Sequence, residues 1–168
     1  MRAQYIEAVS NETPTYPTVF LAGGITACPE WQTELVKLLS DELITLLNPR
    51  RKNFPMDDPN AAKEQITWEF HRLNQCDIFS MWFCNTPSSD QPICMYELGR
   101  HLVLHQSHPE TIVIGIEPGY KRAQDVMIQS GLVDDILPLC ISNNLKDHAE
   151  NIKEAMKQHL SKRLYNQP

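Results

Sequence analysis

Two glutamates carry the residue types and spacing most suited to chemistry. Glu97 stands in Tyr96-Glu-Leu-Gly99, early in a helix that follows the apolar run Asp77–Phe83 and a polar loop with two prolines. A carboxylate in that place is partly desolvated, which makes it a poorer anion and a better nucleophile or base. Glu69 lies on the preceding helix. With Asp77 and Asp90 it makes a set of acids near one rim. Two close carboxyls, one ionised and one protonated, are the equipment for cleaving a glycosidic bond. Bland readings compete: Glu97 contacting Arg100 or His101, and Glu69 paired with Arg72, worth only a few tenths of a kcal/mol. Asp77 begins its strand, at the far end from the crevice, and reads as structural.

Other candidates would shape a ligand site. Gly23-Gly24 closes the run Thr18–Ala22 and lets backbone approach a ligand closely. It is not GxGxxG, so a dinucleotide fingerprint is absent. Asn48-Pro-Arg-Arg51 puts two arginines, Arg50 and Arg51, after a second apolar run, where they fit an anion or a solvated loop equally. Trp82 fits a base-stacking platform or an ordinary core position. The histidines have no HxH or HExxH spacing and no Ser sits in GxSxG, so neither a metal site nor a hydrolase elbow is expected.

Positioning these residues needs strands that end at a common edge. Apolar runs at 18–22, 43–47, 77–83, 111–116 and 136–141 alternate with helical patterns. Such alternation predicts an α/β fold: one doubly wound, Rossmann-like domain with a five-stranded parallel sheet and right-handed crossovers. Strand order 2-1-3-4-5 places the first and third strands side by side at the switch point, where ligands bind. On the helix before the third strand, Ile66, Phe70 and Leu73 are expected to face the core. Gly99 is expected to let its helix lie close to the sheet. Residues 1–17 read as an arm or edge extension, and 18–168 as the domain.

Composition narrows the partners. The 168 residues are 42% hydrophobic and 21% charged, with a net charge of -6, which suits one folded domain. The absence of a basic stripe argues against a nucleic-acid duplex. No stretch suits a membrane span or signal peptide, and five cysteines without CxxC spacing suit a reducing cytoplasm.

Phe20-Leu-Ala-Gly-Gly-Ile25 with Trp31, Asn48–Arg51, Gln65-Ile-Thr-Trp-Glu69, Asp77–Trp82, Tyr96–Gly99 and Val113-Ile-Gly115 occur in the order seen in one family. Together they resemble the nucleoside 2-deoxyribosyltransferase-like proteins. The resemblance implies a flavodoxin-like fold and an enzyme that exchanges or hydrolyses the bond between a 2-deoxyribose and a purine or pyrimidine base. It implies Glu97 as nucleophile, Glu69 as second acid, and a sugar site along Gly23 and Gly24. In the family's transferases an Asp precedes the nucleophile where this chain has Gln91, with Asp90 beside it, which leaves the preferred sugar open. Asn48, Arg50 and Arg51 belong to a divergent branch and suggest a 5′-phosphate. The implied reaction needs no cofactor, and the implied assembly is a homo-oligomer. A nucleotide N-glycoside hydrolase and a non-catalytic nucleotide-binding module are the alternatives.

Overall fold

The computed structural model describes residues 2–133 and 141–165. Six parallel strands form one sheet: β1 (Gln4–Glu7), β2 (Thr18–Gly23), β3 (Thr45–Asn48), β4 (Ile78–Phe83), β5 (Ile112–Ile116) and β6 (Ile141–Ser142). Their order across the sheet is β1-β3-β2-β4-β5-β6. The expected order of the five later strands is therefore observed, with β2 beside β4. The expected number is not. Gln4–Glu7 pairs in register with Thr45–Asn48 and adds a sixth strand at the edge. This strand is four residues long and sends only Ile6 fully into the core, too little apolar pattern to read as a strand. Residues 136–140 of the last expected strand lie outside the described residues.

Helices cover both faces, as buried parallel strands require. Alternate side chains of the central strands separate into two cores. Phe20, Ala22, Phe79, Met81 and Phe83 point toward α2 (Ala61–Gln75), α3 (Pro92–Leu104) and α4 (Ala123–Gly131). Val19, Leu21, Ile78 and Trp82 point toward α1 (Trp31–Leu38) and α5 (Leu145–Tyr165). None of the described helices is long and apolar enough to cross a membrane.

The packing corrects the expected face of α2. Ile66 and Phe70 are exposed, whereas Gln65, Trp68 and Leu73 are buried. The large Trp68 wins the inward position by packing on Phe20 and donating its indole N–H to the carbonyl of Ser10 at 2.8 Å. That rotation carries Glu69 toward the sheet. Gly99 is corrected too: it is exposed, and a Cβ there would meet nothing within 4 Å. Close packing of α3 depends instead on Cys94, Leu98, His101 and Leu102.

Candidate active site

A cavity of about 290 Å³ opens at the carboxyl ends of β2 and β4, between α2 and α3. Its walls are Phe20, Ala22, Gly23, Gly24, Ile25 and Thr26 from β2 and its loop, and Pro49 after β3. Ser89 and Gln91 come from the loop after β4, and Pro92, Ile93, Cys94 and Glu97 from α3. Glu69 of α2 completes the lining. The volume lies at the low end of small-molecule pockets, which run from about 300 to 1,000 Å³.

Two glycines let the β2 loop pack tightly against its protein neighbours. Gly23 has φ +152°, and a Cβ on it would sit 2.3 Å from the Trp82 carbonyl and 2.6 Å from the Trp31 ring. At Gly24 a Cβ would come within 2.5 Å of Cys28 Sγ and the Gln91 side-chain oxygen. Trp31 fixes the loop further by donating its indole N–H to the Gly24 carbonyl at 2.9 Å.

The two acids arrive from different helices and face a common space without a salt-bridge partner among the described residues. Burial raises the Glu97 pKa to about 7, with the nearby Glu69 charge pushing the same way and Arg100 opposing. Glu69 is also raised by burial, partly offset by the side-chain amide of Gln65, which donates to its Oε1 at 2.6 Å. Arg72, the expected partner of Glu69, instead donates to the carbonyls of Ser10 and Glu12. The bland pairing for Glu69 is absent. The thiol of Cys94 is pushed up to about 12, mainly by burial and then by Glu97, and stays protonated at neutral pH.

Of the residues singled out in the sequence, Glu97, Glu69, Gly23, Gly24 and Gln91 share this cavity. Gln91 sits at φ +52°, just before α3. Its buried amide donates to the Cys84 carbonyl at 2.7 Å and accepts from the Cys84 N–H at 3.1 Å. Its first task is to shape the loop.

The other five lie outside the lining. Asn48 donates to the Tyr5 hydroxyl and accepts from the Arg50 N–H. The Arg50 guanidinium is spent on the β2–α1 loop, donating to the carbonyls of Ile25, Cys28 and Pro29 and to the Gln32 side-chain oxygen. Arg51 stacks over Phe54 at 5.3 Å. Trp82 projects to the opposite face, between Trp31 and His148. Asp90 is exposed and ion-paired with Lys121 at 2.6 Å, which holds its carboxyl below the usual carboxylate range.

Gln65 and Pro49 stand in the sequence blocks quoted above but are not singled out there as site residues. The spacing of Gln65 and Glu69, one helical turn apart, was the available signal for the first. For Pro49 the signal was its place after a strand, within the block Asn48–Arg51. Among the described residues no group of three or more His, Cys, Asp or Glu side chains gathers to hold a metal ion.

Such a cavity can enclose a small polar ligand beside two partly desolvated carboxyls. Among curated proteins none matches the chain. A profile of the nucleoside 2-deoxyribosyltransferase-like family matches residues 16–120, a segment that contains every wall of the cavity. The chain belongs to the nucleoside 2-deoxyribosyltransferase-like family.

Proposed function

We propose that the protein cleaves the N-glycosidic bond of a deoxynucleoside through a covalent ester on Glu97 and passes the sugar to a second base. The observation that carries this is the pair Glu97 and Glu69 on one cavity, both with raised pKa values. The pair's proton rests first on Glu97, which burial and the Glu69 charge raise to about 7, and the reactive form is the one in which that proton has moved to Glu69. With Glu97 ionised, an oxygen of its carboxylate attacks C1′. With Glu69 protonated, the departing base takes its proton as the C1′–N electron pair moves onto nitrogen. The second half runs in reverse: Glu69 accepts the proton of the incoming base, and the ester on Glu97 breaks.

The lining contains two carboxyls and no lysine or arginine. This favours an unphosphorylated sugar, because a 5′-phosphate would meet negative charge and no cation. Ile93 and Tyr96 on α3 and Ile66 and Phe70 on α2 are large exposed apolar side chains, and Ile93 also lines the cavity. They support the homo-oligomer that the family implies, and light scattering measures it.

The deciding assay incubates a deoxynucleoside with and without a second free base. A new nucleoside that forms only with the acceptor establishes transfer. Free deoxyribose in both tubes assigns hydrolysis instead, and turnover of the 5′-monophosphate alone overturns the choice of an unphosphorylated sugar. Binding without turnover leaves a nucleotide-binding module.

A further inference from the structure

Gln65 is buried one helical turn before Glu69 and has its amide nitrogen between two oxygens. Nε2 lies 2.5 Å from the Pro49 carbonyl and 2.6 Å from Glu69 Oε1. A carbonyl can only accept, so Pro49 fixes which end of the amide is the NH₂ group. The second N–H then points at Glu69 Oε1 and requires a lone pair there. A proton on Glu69 is therefore disfavoured on Oε1, whose electrons the N–H already engages, and favoured on Oε2. The opposite oxygen of Gln65, Oε1, is buried and has no partner among the described residues, so the donor end alone sets the orientation.

We propose that Gln65 is a positioning residue that holds Glu69 Oε1 as an acceptor and leaves Oε2 to carry the proton to the departing base. This rests on the transfer reading above. The balance is simple. The C1′–N bond breaks with its electron pair going to the base, the Oε2 proton follows to that nitrogen, and the Glu97–C1′ ester forms. Gln65 touches neither sugar nor base. It also ties the second acid to the loop after β3 through Pro49, which itself lines the cavity. Replacing the amide therefore frees the Glu69 carboxyl to rotate and either oxygen to take the proton.

The test compares two substrates in Gln65→Leu, with Gln65→Met as the second variant if the first does not fold. An unmodified deoxynucleoside needs a proton on its leaving base. An N7-methylated 2′-deoxyguanosine does not, because its cationic base leaves neutral. The expected result is a kcat loss of about 10- to 100-fold for the first substrate, a part of the usual acid-catalytic contribution, and a change under about threefold for the second. A carbon-13 titration of the glutamate carboxyls, which needs no turnover, should show the Glu69 midpoint rising as the hydrogen bond to its charged form is lost. Equal losses on both substrates, or an unmoved Glu69 midpoint, overturn the proposal while the transfer reading stands. Wild-type protein inactive on both substrates overturns the transfer reading and this proposal with it.

Discussion

The two ends of the sheet each hold carboxylates inside the fold, and they treat them in opposite ways. At the amino end, Asp77 is surrounded by donors. Its Oδ2 accepts from the N–H and hydroxyl of Thr18 at 2.8 and 2.9 Å, and its Oδ1 meets Arg163 at 3.0 Å and His159 at 3.2 Å. At the carboxyl end, Glu97 and Glu69 are drawn from water and face each other across a cavity. The only side-chain donor to either is Gln65, among the described residues. An acid whose charge is satisfied by fixed partners ties elements together. An acid whose charge is left uncompensated destabilises the fold and gains reactivity, the usual exchange at functional sites.

Replacing the reactive acid gives the sharpest contrast. Glu97→Gln is expected to lower kcat by about 1,000-fold or more, since nothing else in the cavity replaces the nucleophile. The same change should stabilise the protein at pH 8. The folded-state pKa of Glu97 is raised to about 7, so the folded protein binds the proton more tightly than the unfolded chain. Stability therefore falls as pH rises from about 4.5 to 7, by roughly 1–3 kcal/mol once partial exposure is allowed for. Thermal unfolding of wild type and variant should coincide near pH 4 and separate at pH 8, with the variant higher. A variant less stable at pH 8 would place Glu97 with Asp77, as a structural acid.

Glu69→Gln tests whether the two acids work as one unit. A shared proton predicts a bell-shaped kcat/KM for an unmodified deoxynucleoside, falling on the alkaline side near pH 7 as the pair loses its last proton. With the N7-methylated substrate the proton is not needed, and kcat/KM should instead rise through about pH 7 as Glu97 ionises. Glu69→Gln should cost roughly 10²- to 10⁴-fold on the unmodified substrate. It should also move the rising limb of the methylated one to lower pH, because the Glu69 charge that raises Glu97 is gone. A limb that stays in place means that the acids do not interact.

At the other end, Asp77→Ala should lower stability by about 1–3 kcal/mol, the cost of leaving buried donors such as the Thr18 N–H unpaired. Its kcat should remain within about twofold of wild type. Chemical denaturation and the base-exchange assay on one preparation check both. A Asp77→Ala protein that is stable but slow would erase the contrast between the two ends.

Much of this division was legible in the chain. Strand order and the place of the crevice follow from the alternation of apolar runs and helical patterns, because parallel crossovers leave few topologies. Asp77 was readable as structural from its place at the start of a strand, and Glu97 as a carboxyl of the crevice from its place after one. What the chain hid was rotation and occupancy. Periodicity put Ile66 and Phe70 inward, and only the bulk of Trp68 and its bond to Ser10 turn α2 the other way. The charge of Arg50 was visible, but not that the backbone carbonyls of the β2–α1 loop, which no sequence pattern marks, consume it. Trp82 illustrates the period of two in a strand: one residue earlier or later it would face the cavity side.

The smallest expected effect concerns Arg100, the one cation among the described residues that acts on Glu97. Arg100 lowers the Glu97 pKa, but it is the last and weakest of the influences on that carboxyl. Its guanidinium lies over the Phe70 ring at 4.7 Å and donates to Asn74 Oδ1 at 2.6 Å, so it is held on the α2 side rather than against Glu97. Arg100→Met keeps most of the stem and removes the charge. The rising limb of kcat/KM for the methylated substrate should then move to higher pH by a few tenths of a unit, the scale of a solvent-screened charge. Added salt should shrink the difference between wild type and variant. A shift of a full unit or more would mean that Arg100 pairs with Glu97 during turnover, and the reactive end would then compensate its acid as the amino end does.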